Sequence, residues 1–501
     1  MNSNLILFST IFLTMIILNR KVAGQLTGSN LAEYQLGNIP DVKPADLGAL
    51  YDQLNMLYTY KKLKISSRIE QFYNTDSTNR DYILLSQFVV RYQYQNMDMR
   101  AGNFNETLGR GLLLRSFEIP SSIIEDRIYR VRQGFYRDIQ GFSFRYTGNK
   151  FRVKALLGKP LNNVFPPGDK NRRTELTEGI EPEIILGKQS VGMIIMRHSM
   201  DGEHNTYSGL TLHGNLPFNL SYYTEYDRNV SINANPLQFG KNDSYGIYFS
   251  LNHYFGNYGA SLELKKYHNL LIGSGISDPP TLVKEHSYHL LNRSTHVIDL
   301  TDETGYQAEI YYHLNDGKMF TLNHSLSESR LGKTFMFYEY FLEFYWPFIT
   351  GSSVKSFIDF SRDDLFLEDR RYSCGINYIR IFKNNYSATL EGEVQLIHRE
   401  FNDNNPVKNI YTSISLAKST RFLAGISYEF TTDRRVSDRP TTTRIEKSRH
   451  FAGVFSTYRP DQKNSIMIFA GERRGGPACT SGICYEVLDF RGAEIRWTLR
   501  F

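Results

Sequence analysis

Alternation of apolar and polar side chains runs through most of this chain. The last eleven residues show it plainly. Ile495, Trp497, Leu499 and Phe501 fall on one side of an extended strand, and Glu494, Arg496, Thr498 and Arg500 on the other. The pattern returns in Phe151/Val153/Ala155/Leu157 opposite Arg152/Lys154, and in Tyr306/Ala308/Ile310/Tyr312/Leu314 opposite Gln307/Glu309/Tyr311/His313. It returns again in Tyr386/Ala388/Leu390/Gly392/Val394/Leu396 opposite Ser387/Thr389/Glu391/Glu393/Gln395. Between Lys333 and Trp346 one face carries Met336, Tyr338, Tyr340, Leu342, Phe344 and Trp346, and the other mixes Glu339 and Glu343 with further aromatics. Such strands need lipid or core on one side and water on the other.

The connectors sort by length. Lys61-Lys62, Gly148-Asn149, Asn315-Asp316-Gly317, Lys383-Asn384-Asn385 and Arg459-Pro460-Asp461-Gln462 are short turns. Longer polar connectors lie between them at 159–180, 228–243, 269–304, 402–408, 433–447 and 472–486. Short on one side and long on the other is the pattern of outer-membrane barrels, with periplasmic turns and extracellular loops. The sequence therefore predicts an all-β fold: a single large antiparallel transmembrane β-barrel of about 24 strands, within a range of roughly 20–28. Counting back in hairpins from Phe501 makes the 51–60 strand run downward, so an earlier strand must bring the chain up. Residues 26–36 are the candidate, expected to pair with the terminal strand and close the sheet. The stretch from Leu47 to Tyr58 also fits a helical period, leaving a strand over 54–60 as the favoured reading.

One stretch, 103–138, breaks the rhythm. It is too long for a plain hairpin connection and reads as an extracellular loop or a constriction folded into the lumen. Within it, Ser122-Ile123-Ile124-Glu125 has the spacing of a capping box that could start a short helix. It also carries Arg110, Arg115, Arg127, Arg130, Arg132 and Arg137, with Arg100 just before. Folded inward, these would form an electropositive, anion-favouring constriction, because rings of Arg or Lys select anions. Folded outward, they would meet lipopolysaccharide phosphates or water. Inward strand positions add charges of both signs: Glu339, Glu343, Glu391 and Glu393 against Arg152, Lys154, Arg496 and Arg500.

Residues 5–18 form the only long apolar run, too short for a spanning helix of roughly 20 residues. Followed by Val22-Ala23-Gly24, it reads as a secretory signal peptide over 1–24 that leaves a barrel over 25–501. The charge-free start Met1-Asn2-Ser3-Asn4 keeps an uncleaved anchor as the alternative. No plug domain is expected between this leader and the first strand. Aromatics reach 14%, with 34 Tyr and 33 Phe, a usage suited to strands and membrane interfaces. The formal charge of +6 is too mild to point to nucleic acid.

Three cysteines do not make a disulfide scaffold. Cys479 and Cys484 bracket a tight loop that could close in an oxidising compartment or stay as two thiols. Cys374, in a strand pattern, reads as an inert packing residue. Glu285, His286, His289, His296, Asp299 and Glu303 share one connector, but no helix aligns their imidazoles and HExxH is absent, so a polar loop is expected and no metal. The nearest approach to a GxSxG nucleophile elbow is Gly273-Ser274-Gly275, flanked by Ile272 and Ile276 where the motif requires Gly, and no enzyme or cofactor is expected.

Gly102-Asn103-Phe104 running into Gly109-Arg110-Gly111-Leu112-Leu113-Leu114-Arg115 resembles a motif of predicted, uncharacterised outer-membrane β-barrel proteins of Bacteroidota, a domain of unknown function. The tail from Arg474 to Tyr485 and the segments Pro279–Leu282, Glu285–Tyr288 and Leu291–Arg293 are similar to that family as well. The resemblance implies a fold and a location, the Gram-negative outer membrane, and no catalytic residues. Separately, the terminal strand with Ile495, Trp497, Leu499 and the closing aromatic Phe501 resembles the C-terminal signal read by the barrel-insertion machinery. The function expected is a channel for small polar or anionic solutes, in contact with outer-membrane lipid and lipopolysaccharide. The alternative is an interaction or assembly protein whose loops or interior dock a secretion, adhesion or envelope partner.

Overall fold

The computed structural model describes residues 24–75, 80–127, 130–348, 351–399, 405–433, 448–480 and 483–501. The expected leader, except Gly24, lies outside the described residues. Twenty-four antiparallel strands form one closed sheet. From Gly48–Tyr60 onward, successive strands pair as hairpins, with two departures. Met97–Phe104 pairs directly with Ile139–Thr147, which takes 105–138 out of the wall. Asn464–Arg473 pairs with Phe490–Arg500, which takes 474–489 out of it.

The closure is the expected one. Gln25–Asn38 pairs with Gly48–Tyr60 on one edge and Phe490–Arg500 on the other, with Ser29 opposite Arg500 and Asn38 opposite Arg491. Gly28 and Phe501 exchange backbone hydrogen bonds at the end of this seam. The helical alternative for 47–58 gives way to a strand because both edges of that segment find ladder partners.

All the short turns read from the sequence fall on one rim, where strand bounds leave two to five residues per connection. The long connectors fall on the other rim. Three connections there are nevertheless tight: 201–202, 332 and 364–367. The first two carry left-handed backbone, Asp201 at φ 51° with Gly202 at 86°, and Gly332 at 76°, which lets a hairpin reverse without a loop.

Alternation decides which face each strand shows. Ile495 and Trp497, Leu390 and Val394, and Phe151 and Leu157 are exposed on the outer wall. Outward aromatics lie toward both rims, Tyr60, Phe151, Tyr258, Phe320, Trp346 and Tyr386 at the short turns and Tyr34, Tyr73, Tyr372 and Tyr428 nearer the long loops. Lys318 lies over Trp346 at 4.6 Å and Lys62 over Tyr94 at 3.6 Å, a pairing suited to a membrane–water boundary.

Two local expectations are overturned. Ser122–Glu125 is not the start of a helix: it lies in the strand Phe117–Glu125, where Ile123, Ile124 and Glu125 pair with Gly134, Gln133 and Arg132. Cross-strand pairing supplies the backbone partners that the capping box would have supplied. Cys374 does not pack in the interior. Tyr372, Cys374 and Ile376 share the exposed outer face, while Ser373 on the opposite face is buried.

Candidate functional site

The site is the interior of the barrel, which loops from the long rim enter. Residues 105–116 cross to one wall. There Gly109 N–H donates to Glu181 (3.1 Å) and Arg110 N–H to Glu225 (2.7 Å). Leu108, Leu112, Leu113 and Leu114 are buried against inward Leu156, Ile194, Met196, Tyr248 and Tyr267. A side chain at Gly246 would collide with Leu112, so that wall position leaves room for the loop.

The hairpin Phe117–Glu125/Arg132–Arg137 docks on the seam wall instead. Glu70 accepts from the Tyr136 hydroxyl (2.9 Å), the Gly134 N–H (3.1 Å) and the wall's own Tyr51 (3.0 Å). Arg132 reaches Glu33 (2.8 Å) and Glu125 (2.9 Å) and also meets Gln35. Burial pushes the Glu125 carboxyl up, but Arg132 and Arg130 outweigh it and hold it below the usual carboxylate range.

The segment 269–301 fills the other half. Leu270, Ile272, Ile276 and Leu282 join the apolar cluster around Leu112. The two segments meet where Arg115 N–H donates to the Ile276 carbonyl (3.0 Å), Asp278 N–H donates to that of Gly111 (3.0 Å), and the Arg115 guanidinium faces the Asp278 carboxylate (3.2 Å). Burial raises the Asp278 carboxyl, against the pull of Arg115 and Arg137. Further along, the chain is fixed to wall carboxylates. His286 meets Glu339 (3.1 Å) and His296 meets Asp363 (3.1 Å). The N–H groups of His289 and Leu290, at the start of the short helix His289–Asn292, both donate to Glu393 at 2.8 Å.

A third segment, 474–489, carries the hairpin Gly476–Thr480/Ile483–Val487, whose Ile483 and Tyr485 pack on Phe117 and Phe135. Its backbone sets Cys479 opposite Cys484; their side chains lie outside what is described. Where this segment meets 269–301, Glu429 of the wall binds three groups. Arg293 donates to both carboxylate oxygens (2.6 and 2.7 Å), Arg474 to one (2.9 Å), and His289 Nε2 lies 3.0 Å from the other. His289 also stacks on Tyr411, 3.8 Å between ring centres. Burial lowers the affinity of His289 for a proton; Glu429 opposes this and Arg293 and Arg474 reinforce it. Burial likewise lowers the Arg474 guanidinium, against Glu429.

Two cavities flank this contact. The larger, about 600 Å³, reaches Lys355, Asn377, Glu391 and Arg496. The smaller, about 370 Å³, reaches Glu368, Arg371, Arg399 and Asn409.

The seven candidate arginines do not converge on one ring. Arg100 pairs with Asp98 (2.9 Å), Arg110 lies over Tyr223 (4.7 Å), and Arg127 meets Glu486 (2.6 Å). Arg130 meets Glu125 (2.6 Å) and Asn38, and Arg137 meets the Gly275 carbonyl and lies over Phe117 (5.3 Å). The carboxylates that answer loop cations, Glu33, Glu429 and Asp278, were not singled out by the sequence. Their signal was available for Glu33 and Glu429, as lone acids on the inward face of alternating strands.

The histidines and acids of 285–303 go to separate wall partners. Among the described residues no group of three or more His, Cys, Asp or Glu is placed to hold a metal ion. Ser274 approaches Glu175 and His198, but through its backbone N–H, which donates to Glu175 (2.9 Å). His198 Nδ1 faces Thr177 (3.1 Å) and Nε2 faces Glu175 (3.4 Å), so neither ring nitrogen is set against the Ser274 hydroxyl.

Residues 4–190 match the model of a family of unknown function, DUF6029, a span that contains the Gly102–Arg115 motif. No curated protein matches the chain. Among solved structures, the chain is similar to one in an E. coli P pilus tip assembly intermediate, PapC-PapD-PapK-PapG, at 9% identity and a TM-score of 0.53. That match covers 96% of this chain and 62% of that one. Two further matches are the P pilus usher (PapC) translocation pore (8% identity, TM-score 0.45, 95% and 99% covered) and Pseudomonas aeruginosa OccK5 (OpdH) (10%, 0.40, 75% and 98%). At these identities the likeness extends to the fold, a closed outer-membrane type of β-barrel.

Proposed function

We propose that this chain is an outer-membrane channel for small polar or anionic solutes, held here in a closed state by its own loops. The observation that carries the reading is the nature of the filling. Segments 105–138, 269–301 and 474–489 occupy the lumen without contributing a wall strand, so they can move while all 24 strands stay paired. On the seam side and around Glu429 they are held chiefly by charged and hydrogen-bonded contacts, which water and ions can replace. The gathering of short turns on one rim and long loops on the other supports an orientation with the short-turn rim in the periplasm and the long loops outside the cell. In this reading the chain is exported by its leader and contacts outer-membrane lipid and lipopolysaccharide. Ile495, Trp497, Leu499 and Phe501 form its insertion signal. Neither ATP, cofactor nor catalytic step is involved. The arginines of 103–138 act by fixing the filling as well as by tuning the lumen. The resemblance to barrels of Bacteroidota fits the same location.

A docking protein is the second reading, favoured by one feature. The long-rim connections 161–175 and 230–244 expose Val164 (74%), Leu237 (84%), Ile232 and Phe239, apolar groups that an envelope partner could cover. Conductance in planar bilayers separates the two. A channel gives current steps that grow when 105–138 is removed. An assembled barrel that never conducts, even without that segment, leaves the docking reading.

A further inference from the structure

The two cavities are stacked along the barrel axis on one wall. Lys355, Asn377, Glu391 and Arg496 of the larger lie in the halves of their strands nearer the short turns. Glu368, Arg371, Arg399 and Asn409 of the smaller lie in the halves nearer the long loops. Arg293, Arg474, Gly476 and Pro477 line both, so the partition between them is made of loop residues. Among the described residues, one wall carboxylate, Glu429, ties both partition arginines to the barrel. Arg293 also donates to the Arg474 carbonyl (2.8 Å), which joins the two loops at that point.

On the opposite wall, among the described residues, Leu108, Leu112, Leu113, Leu114, Leu270 and Ile272 pack against apolar wall residues. A polar solute crossing that side would have to displace a dry cluster. Crossing the partition requires only the exchange of one set of charge-assisted hydrogen bonds for another.

The sign of the solute follows from the lining. Around the larger cavity Lys355, Arg473 and Arg496 are paired with Glu343, Glu494 and Glu33, whereas Arg293 and Arg474 share the single carboxylate of Glu429, so the excess positive charge lies at the partition. Guanidinium groups bind carboxylate and phosphate oxygens through the same planar fork. A solute oxyanion can therefore occupy the position that the Glu429 carboxylate holds. Both volumes lie in the range of pockets that hold small organic molecules.

We propose that small oxyanions cross this barrel along the wall between the two cavities, taking the place of Glu429 on Arg293 and Arg474 as they pass. The proposal rests on the channel reading and adds to it a path, a gate and a charge class.

The test uses the full-length protein in planar bilayers under a potassium chloride gradient, then a potassium acetate gradient. Glu429→Gln leaves the two arginines facing a neutral amide. Anion conductance should rise about tenfold, the factor for losing one charge-assisted hydrogen bond. The reversal potential should move toward the anion's. Arg474→Gln should move it toward that of potassium. It also probes the same partition from the loop side if the Glu429 variant fails to assemble, which heat-modifiable gel migration reports. Glu183→Gln, on the opposite wall with the wall residues Arg152 and His213 as its partners, should leave the reversal potential unchanged.

If the barrel conducts but Glu429→Gln and Arg474→Gln do not move the reversal potential, the path is overturned and the channel stands. The path is likewise overturned, with the channel intact, if Glu183→Gln moves the reversal potential equally or if only removal of 105–138 gives current. No current from any of these proteins overturns the path together with the channel.

Discussion

Glu70 and Glu429 hold the lumen filling in the same way, as single inward carboxylates that gather several donors from loops remote in sequence. Glu70 binds Tyr136 and Gly134, while Glu429 binds His289, Arg293 and Arg474. Arg132 is the reverse case, a loop cation shared between Glu33 and Glu125. Removing one partner of a buried pair leaves the other charged and desolvated, which costs about 3–5 kcal/mol. Arg496 still faces Glu33 and Arg130 still faces Glu125. Arg132→Met should therefore cost about 3 kcal/mol of docking, the low end of that range, and leave the strands paired. Proteinase K cleavage within 117–137 should become about a hundredfold faster, with the barrel core still resistant.

His289 supplies a pH dependence. Burial depresses its proton affinity in the closed state, in a setting where Glu429, Arg293, Arg474 and the stacked Tyr411 ring all face it. A base whose affinity is depressed stabilises the closed state above its ordinary pKa of about 6.5, and that contribution is lost as pH falls. Open probability should rise on acidification below about pH 6, and His289→Gln should flatten the profile. A profile unchanged by the substitution would assign the response to another group.

At the scale of the element, the seam is the most demanding part of the sheet. Gly37 and Gly492 face each other across it with φ of 151° and 155°, and a side-chain carbon on either would lie 2.2 Å from the backbone oxygen of a neighbouring strand. Gly492→Val should prevent closure between the first and last strands, read as loss of the heat-modifiable folded band on gels. Gly392→Val, on the outer face of Tyr386–Arg399 with the nearest heavy atom 4.0 Å away, should keep that band.

The wall was legible in the sequence because lipid-facing and water-facing positions must alternate, and that alternation is a local property. Tyr386 to Leu396 or Ile495 to Phe501 can be assigned without knowing any partner. The pairing of 26–36 with the C-terminus was legible by parity alone. The filling was not legible, because its contacts join residues far apart in the chain, such as Arg132 with Glu33 and Arg293 with Glu429. Leu112-Leu113-Leu114 shows no strand period, since all three side chains are buried in one cluster. Ser122–Glu125 misled for a related reason: a local helix-start pattern lost to a hairpin whose other arm begins at Arg132.

At the scale of the whole molecule, the interior divides into a side where the loops pack through an apolar cluster and a side where charged contacts hold them. The first joins residues 108–114 and 270–282 to inward apolar groups of the wall. The second holds the hairpin 117–137, the Glu429 contact and both cavities. This division makes graded opening the expected result of graded deletion. Replacing 117–137 by a short Gly-Ser linker removes the contacts with Glu33 and Glu70 but keeps Leu108 and Leu112–Leu114 in the cluster. Residues 269–301 then retain their apolar support, and the added conductance should be modest. Deleting all of 105–138 also strips the cover from Leu270, Ile272 and Ile276. Burying one such side chain stabilises by about 1.5–3 kcal/mol, so losing the shared cluster should release 269–301 from its wall as well. Single-channel conductance should therefore rise in two steps, small for the first deletion and severalfold larger for the second. Equal conductance from the two deletions would mean that the apolar cluster does not hold 269–301 in place, and that the contacts with Glu339, Asp363, Glu393 and Glu429 keep that segment across the lumen.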